Sequence, residues 1–413
     1  MKIIFLTLLD FESYSAHNIY CDLLREFIRN GHDVYCISPT ERRTGHGTAL
    51  KENGRLLKLR IGNTQKTNIV EKGISTMLIE PQFVAAIKKY FSDVKFDLVL
   101  YSTPPITLAN AVRYIKNRDG AKTYLMLKDI FPQNAVDLGL MSKTGPMGLI
   151  YQYFRNKEKK LYAISDHIGC MSQANVDHVL AHDPQLPKEK VQVCPNCIEI
   201  QDVRSTEQER VRMREKYGIP QDKKVFVYGG NLGKPQGIPF IIRCLETQRD
   251  NDKVFFLIVG DGTEYGKLDA YIRQECPRNV MLMKLLPKRD YDRMIAACDV
   301  GMIFLDHRFT IPNFPSRMLS YMQAGLSVFA VTDPNTDIGK IVVDGGFGWW
   351  CESDDETKFS EQIDKIVSSD ISNHKLRSRQ YLCDSYSVQK IYSQCFAPLL
   401  DTIQKEKNER KDP

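Results

Sequence analysis

The chain is 413 residues long, with 42% hydrophobic residues, 26% charged residues and a formal net charge of +6 at pH 7. That length suits two domains of ordinary size, and the composition is that of a water-soluble globular protein. So small a net charge gives no sign of a nucleic-acid partner, though a local basic face could still meet a membrane or an anionic substrate.

The first apolar run, Ile3-Ile4-Phe5-Leu6, meets Asp10 and Glu12 too soon for a signal peptide with a cleavage site. No stretch approaches the roughly 20 apolar residues of a membrane-spanning helix. A cytoplasmic location is expected, peripheral at most on the inner face of the plasma membrane.

Short apolar runs alternate with amphipathic helical stretches, the pattern of an α/β fold with parallel sheets. In the first half, strands are expected at Lys2–Leu9, Asp33–Ile37, Leu56–Ile61, Asp97–Tyr101, Thr123–Leu127, His167–Met171 and Val191–Cys194. Helices fit between them, among them Ala16–Arg29, Glu80–Tyr90 and Ile106–Lys116. The polar segment Gln201–Lys223 reads as a linker with one helix, Glu207–Lys216. The alternation restarts with strands at Lys224–Tyr228, Val254–Val259, Val280–Met283, Val300–Phe304 and Ser327–Val331. The chain then ends in helices, with the charged tail Lys405–Pro413 expected to fray. Residues 1–200 and 201–386 are expected to form two domains, and 387–413 a closing helix and tail.

Candidate chemistry collects at strand ends. Asp129 follows the strand Thr123–Leu127, where a carboxylate could orient or deprotonate a hydroxyl; a helix cap or an arginine partner is the alternative. Ser102-Thr103 ends a strand at the same edge. In the second half, Gly229-Gly230-Asn231-Leu232-Gly233 follows a strand and leads to Lys234, which could reach a phosphate. Glycines there let a ligand approach the backbone; a plain glycine-rich turn is the alternative. The turn Gly260-Asp261-Gly262 resembles a dinucleotide fingerprint, but Gly266 falls one residue late for the third glycine.

Asp290-Tyr291-Asp292 has the spacing of a diphosphate-metal motif, yet it opens an expected helix, Asp290–Ala297, where acids act as caps. Pro315-Ser316 marks an abrupt helix start and Gly325 its close. Free N–H groups there, beside Arg317, suit a diphosphate; an ordinary helix packing Met318, Leu319 and Met322 is the alternative.

Metal chemistry finds little support. Cys194 and Cys197 have no second pair, and a turn accounts for them. His178 and His182 are four apart on an expected helix without a third ligand. Two basic stretches remain. One holds Arg42, Arg43, Lys51, Arg55, Lys58, Arg60, Lys66 and Lys72; the other holds Arg155, Lys157, Lys159 and Lys160 beside Ile150, Tyr151, Tyr153 and Phe154. Both could face anionic lipid, or be merely solvated.

These segments resemble the family 4 glycosyltransferases of the GT-B fold, especially the bacterial branch that builds surface polysaccharides such as O-antigen and capsule. The residues that carry the resemblance are Gly229–Gly233, Val259–Gly262, Leu286-Pro287-Lys288, Pro315-Ser316-Arg317 and Ser320–Gly325. Asp129-Ile130-Phe131-Pro132 resembles the branch's Asp-Leu-Trp-Pro, and Pro195-Asn196-Cys197 its Pro-Asn-Gly.

The resemblance implies two Rossmann-like domains with parallel sheets facing a central cleft, and a final helix, about Val388–Thr402, crossing back to the first domain. It implies transfer of a sugar from a nucleotide-sugar donor to an acceptor hydroxyl, with retention at the anomeric carbon. The donor belongs to the C-terminal domain and the acceptor, a lipid-linked saccharide, to the N-terminal one. Donor contacts are then expected from Gly230, Asn231, Gly233, Gly260, Asp261, Pro287, Lys288, Ser316 and Ser320, with Asp129, Arg317 and Lys234 as catalytic candidates. No metal or other cofactor is expected, because helix ends and basic side chains can carry the diphosphate charge. An anionic membrane surface is a further expected partner.

The chain departs from the family in places. Members often have two glutamates eight apart, where this chain has Pro312 and Ser320, so a carboxylate for the donor ribose is missing. Asn231 stands for a common arginine and Gln236 for a common lysine, which leaves Lys234 to supply the loop's charge. The loop Asp10–Ser15 lacks the usual paired glycines. These departures keep two alternatives open: a sugar-nucleotide epimerase of the same fold, or a non-catalytic nucleotide-sugar-binding partner protein.

Overall fold

The apolar runs are buried strands: Ile3, Ile4, Phe5 and Leu6 are at most 1% exposed, as are Val225, Phe226, Val227 and Tyr228. The computed structural model describes residues 1–65 and 67–409. It divides into two units, Met1–Glu199 with the chain from Val388 onward, and Ile200–Ser387.

Among the described residues the first unit holds eight strands: β1 (Lys2–Leu6), β2 (Asp33–Glu41), β3 (Ala49–Lys51), β4 (Leu56–Ile61), β5 (Leu98–Ser102), β6 (Lys122–Leu127), β7 (His167–Cys170) and β8 (Val191–Val193). They form one sheet in the order β3-β4-β2-β1-β5-β6-β7-β8, parallel except for β3. Helix α1 (Ile19–Arg29) leads from β1 outward to β2. The later helices α2 (Ile69–Tyr90), α3 (Ala109–Asp119), α4 (Gln133–Asp137), α5 (Gly145–Ile164) and α6 (Gln173–His182) belong to connections that run the other way along the sheet. Right-handed crossovers therefore put α2, α3, α5 and α6 on the face opposite α1.

The second unit begins with α7 (Glu207–Tyr217) and then alternates: β9 (Lys224–Asn231), α8 (Ile238–Thr247), β10 (Val254–Asp261), α9 (Tyr265–Glu275), β11 (Val280–Met283), α10 (Lys288–Ile295), β12 (Val300–Phe304), α11 (Arg317–Gln323), β13 (Ser327–Thr332), α12 (Ile338–Asp344) and β14 (Gly348–Glu352). Helices α13 (Glu356–Ser368) and α14 (Ser372–Tyr386) follow. Its sheet is parallel, in the order β11-β10-β9-β12-β13-β14. The chain then returns to the first unit through α15 (Val388–Ile391), a wider helical turn at Tyr392–Phe396, and α16 (Ala397–Glu409). Aromatic edges seat this stretch on α1: Phe27 lies 5.1 Å from Phe396 and 5.2 Å from Tyr392, centroid to centroid. Its end continues as helix to Glu409, where fraying was expected, because Lys407 pairs with Asp97 at 2.6 Å and Lys122 with Glu406 at 3.0 Å. The rest of the tail, residues 410–413, lies outside the described residues.

Other differences from the sequence expectations have local causes. β1 stops at Leu6, and Leu9 is 38% exposed. Helix α2 starts at Ile69, not Glu80, and runs through Pro81. An interior proline disfavours a helix by about 3 kcal/mol, but Ile79, Phe83 and Ile87 on either side bury almost completely. The short strands β3 and β14 lie at sheet edges and were not expected. Helix α10 begins at Lys288, so Asp290 lies in its first turn and makes no capping hydrogen bond, contrary to the capping role expected of it.

A buried ion pair fixes the start of the second sheet. Arg214 of α7 is fully buried; its guanidinium donates to the Asp299 carboxylate (2.8 Å) and to the carbonyls of Ala297 (2.9 Å) and Pro220 (3.0 Å). Asp299 in turn accepts the Val225 N–H (2.9 Å). Arg210 (3.3 Å) and Lys375 (3.2 Å) also reach the Asp299 carboxylate, so removing Arg214 leaves that charge partly compensated while the buried carbonyls of Ala297 and Pro220 lose their donor. Arg214→Met is expected to destabilise the second unit by about 1–3 kcal/mol, read as a lower chemical-denaturation midpoint. Arg214→Met combined with Asp299→Asn should recover part of that loss.

Candidate active site

At the carboxyl edge of the second sheet, two glycine turns lie side by side. β9 pairs with β10 so that Gly230 faces Gly260 and Asn231 faces Asp261. There is no room for side chains between them. A Cβ on Gly260 would fall 2.0 Å from the Gly230 carbonyl oxygen, and one on Gly262 would fall 2.4 Å from that of Leu232. Gly230 also has φ +125°, a conformation L side chains rarely adopt. Its positive φ and the missing side chains leave bare backbone at the edge where ligands bind in such sheets.

Three tyrosines and one arginine support these turns. The Tyr321 hydroxyl, on α11, accepts the Gly229 N–H at 3.0 Å. The Tyr291 hydroxyl, on α10, occupies the space a Gly229 side chain would need, 1.7 Å from the ideal Cβ position. Arg317, the first residue of α11, turns its guanidinium onto the Tyr228 ring, 4.3 Å from the centroid. Its Nη2 lies 3.4 Å from where a Gly230 Cβ would be. Its Nη1 is buried and has no hydrogen-bond partner. A charged donor left in this state favours an anionic ligand that completes it. None of the three tyrosines was a sequence candidate; the signal was the tight packing that Gly229 and Gly301 demand, which spacing does not reveal.

The rest of the loop is neutral and self-contained. The Gln236 amide oxygen accepts from Asn231 Nδ2 (3.0 Å) and from the Gly233 N–H (3.1 Å), so Asn231 and Gln236 bond to each other. Lys234 is exposed on the single turn Lys234–Gln236. The structure thus gathers Gly230, Asn231, Gly233, Gly260, Asp261, Lys234 and Arg317 on one edge. The Asp261 carboxylate accepts the Gly262 N–H (2.9 Å) and lies 3.3 Å from the Lys284 ammonium. Pro287 precedes α10, and the Lys288 ammonium is held by Asp292 at 2.8 Å. Ser316 is exposed ahead of α11, and Ser320 lies within it.

Asp129 belongs to the first unit, just beyond β6. Asn134 Nδ2 donates to both of its carboxylate oxygens, at 2.9 and 2.8 Å. Its N–H donates to Thr103 Oγ1 at 3.2 Å. Helix α4 starts at Gln133 behind Pro132, so Asp129 caps no helix, and no arginine pairs with it among the described residues. Burial pushes its pKa up to about 6, against the opposing effect of the Asn134 hydrogen bonds. A carboxyl near that value can exchange a proton close to neutral pH.

A carboxyl whose pKa is raised by folding stabilises the fold below its unfolded pKa of about 3.9 and loses that contribution as pH rises through the folded value. Asp129→Asn should therefore be more stable than the natural chain by roughly 1–3 kcal/mol near pH 8, with the difference vanishing toward about pH 4. Asn134 can flip to accept from the new amide, since its Oδ1 is buried without a partner. Denaturation midpoints across this pH range check the expectation.

Comparison with known proteins agrees with this architecture. Residues 17–202 match the family described as Glycosyltransferase Family 4, and residues 209–382 match Glycosyl transferases group 1. The probable glycosyltransferase WbjE of Pseudomonas aeruginosa is 25% identical over 347 residues, covering 82% of this chain and 83% of that protein. The putative colanic acid biosynthesis glycosyl transferase WcaI of Escherichia coli (strain K12) is 24% identical over 251 residues, 60% of each chain. Among solved structures, Anabaena HepE in complex with UDP and glucose superposes with a TM-score of 0.71 at 15% identity, over 97% of this chain and 100% of that one. Sucrose-phosphate synthase from Thermosynechococcus elongatus superposes with a TM-score of 0.76 at 13% identity, over 98% and 100%. With both halves matched and the two-sheet architecture shared, the chain belongs to the family 4 glycosyltransferases of the GT-B fold.

Proposed function

We propose that this enzyme transfers a sugar from a nucleotide-sugar donor to a hydroxyl of a lipid-linked saccharide, with retention at the anomeric carbon, in the synthesis of a bacterial surface polysaccharide. The observation that carries the donor assignment is the buried Arg317 guanidinium with one unpartnered nitrogen beneath the bare Gly230 turn. The named relatives support the polysaccharide assignment, and solved neighbours that hold UDP or UDP-glucose support a nucleotide-sugar donor. Described helices include none long and apolar enough to cross a membrane. The proposed reaction lies on the cytoplasmic side, where the enzyme would meet its acceptor from the membrane surface.

In this proposal the donor diphosphate is held by Arg317, by the backbone of the two glycine turns and by Lys234. Charge on the leaving diphosphate grows in the transition state, and fixed donors that meet it there lower the barrier. The departing phosphate can itself accept the acceptor's proton. Asp129 is assigned to the acceptor hydroxyl, which its carboxylate orients, or to the positive charge that develops on the sugar ring. Because basic side chains carry the diphosphate charge, no metal is required. One observation favours binding without transfer: the neutral Asn231–Gln236 pair removes two charges common in the family.

A screen of nucleotide sugars for ligand-induced stabilisation, followed by incubation with lipid-linked acceptors, separates these readings. Transfer product with the donor's anomeric configuration supports the proposal; epimerised donor or binding alone replaces it. Arg317→Met, which keeps most of the packing on Tyr228, is expected to lower turnover at saturating donor by about 30- to 1000-fold, equivalent to roughly 2–4 kcal/mol of transition-state stabilisation. Transfer should persist in excess chelator. Loss that magnesium or manganese restores would assign the diphosphate charge to a metal instead.

A further inference from the structure

The basic stretches read from the sequence are largely consumed by ion pairs. Arg42 pairs with Glu71 (2.7 Å), Arg43 with Glu41 (2.6 Å), Arg55 with Asp33 (2.7 Å), and Lys58, nearly buried, with Asp10. Arg155 pairs with Asp183 (2.7 Å) and Lys157 with Glu80 (3.3 Å). Lys66 lies outside the described residues. Among those residues the one close group of metal-type donors, His17, Asp22 and Glu199, is already filled: Arg25 Nη2 lies 2.8 Å from the Glu199 carboxylate and 3.2 Å from His17 Nδ1. What the fold leaves over is the Cys194-x-x-Cys197 spacing, and folding gives it new neighbours.

Cys194 directly follows β8, and its N–H donates to the Cys170 carbonyl of β7 at 2.7 Å. The returning C-terminal stretch brings Cys395 to the same place. Cys395 lies in the wider helical turn Tyr392–Phe396, and its thiol donates to the Val193 carbonyl at 3.4 Å. The ring of Phe396, the next residue, packs 4.9 Å from that of Tyr124 on β6, whose hydroxyl accepts from Gln192 Nε2 at 2.8 Å. Cys194, Cys197, Cys395 and Tyr124 thus share one buried cluster. The Cys194 and Cys395 thiols hydrogen-bond to one another, and all three cysteines are unbridged.

A cation stands among these thiols. Lys128 Nζ is buried without a hydrogen-bond partner, and it feels the charge of Cys194, Cys197, Cys395 and Cys170. A buried ammonium is costly unless a negative charge stands near it, and a thiolate supplies one. The hydrogen bond with Cys395, helped by the Lys128 charge, lowers the Cys194 pKa below that of an ordinary thiol; the same bond raises that of Cys395. One sulfur is therefore a ready nucleophile while its neighbour keeps its proton. An ammonium in this position repels a metal ion, so the arrangement suits thiol oxidation and not coordination.

We propose that Cys194 and Cys395 are a peroxide-sensitive dithiol whose disulfide fastens the returning C-terminal stretch to the end of β8. The Cys194 thiolate displaces hydroxide from hydrogen peroxide and becomes a sulfenic acid. The hydroxide takes a proton from Lys128, which has lost its counter-charge. The Cys395 thiol then attacks the Cys194 sulfur, and its proton leaves with the sulfenic oxygen as water. Two electrons pass from the sulfur pair to one peroxide, and a small dithiol reverses the bond. The closed loop contains the whole second unit, Ile200–Ser387, so oxidation holds the return stretch in place when it would otherwise detach.

The full-length protein with Cys276→Ser, which removes an exposed thiol, is to be treated with graded hydrogen peroxide and mapped by mass spectrometry. It should lose two hydrogens and yield a tryptic crosslink between the peptides that hold Cys194 and Cys395, released by dithiothreitol. Proteolysis of the stretch from Val388 onward should slow by about tenfold or more on oxidation and recover on reduction. Cys197→Ser should crosslink in the same way. Cys194→Ser and Cys395→Ser should not, and peroxide should leave their proteolysis unchanged. A chain that only gains oxygen, that joins Cys194 to Cys197, or that crosslinks without any change in proteolysis would overturn the proposal. The parent chain decides this by itself, whether or not the serine variants fold.

Discussion

The candidate site at the edge of the second sheet depends on one close approach of backbone to backbone. β9 and β10 run in register to their last residues, and at the carboxyl edge the Gly260 position lies against the Gly230 carbonyl with no space for a side chain. Everything else at that edge is arranged around this contact. Tyr321 takes up the Gly229 N–H, Tyr291 fills the void beneath it, and Gln236 closes the loop from the other side. Arg317 lies against Gly230, its Nη2 3.4 Å from where a Cβ would be. A glycine turn that looks loose in a sequence is, in the fold, the most tightly constrained part of the site.

The same edge shows how charge is distributed when two expected cations are absent. Asn231 and Gln236 satisfy one another and leave no charge on the loop's interior. What remains is an exposed lysine at Lys234 and a buried guanidinium at Arg317, and these differ in kind. Lys234 is hydrated and screened, whereas Arg317 is desolvated, stacked on Tyr228 and short of a partner at Nη1. A buried, incompletely bonded cation interacts more strongly with an incoming anion than a solvated one does. Asp129 in the first unit follows a similar logic with opposite sign: burial holds its pKa near 6 while Asn134 fixes its orientation. Both residues trade stability for a poised group.

Much of this was legible in the sequence. The strand runs, the glycine turns after β9 and β10, and the helix start at Arg317 can be read from apolar periodicity and from glycine and proline placement, since these reflect local backbone requirements. What stayed hidden depends on tertiary contact. Helix α2 runs on both sides of Pro81 because Ile79, Phe83 and Ile87 find a core to bury in, which no local signal announces. Tyr228, Tyr291 and Tyr321 come from three elements far apart in the chain and meet only in the folded sheet. Lys288 looked free for a phosphate but is held by Asp292 one turn along its own helix. The basic stretches left a membrane face and a merely solvated face both open, because their acidic partners, Glu71, Asp33 and Asp183 among them, are brought in by folding.

The claim on which the account turns is that the Arg317 guanidinium completes its hydrogen bonding on the donor's diphosphate. A structure of the enzyme with an intact nucleotide sugar measures this directly. The account requires a diphosphate oxygen within hydrogen-bonding distance of Arg317 Nη1, with the diphosphate against the Gly230 turn. A donor bound with its diphosphate elsewhere, and Nη1 still without a partner, would contradict it.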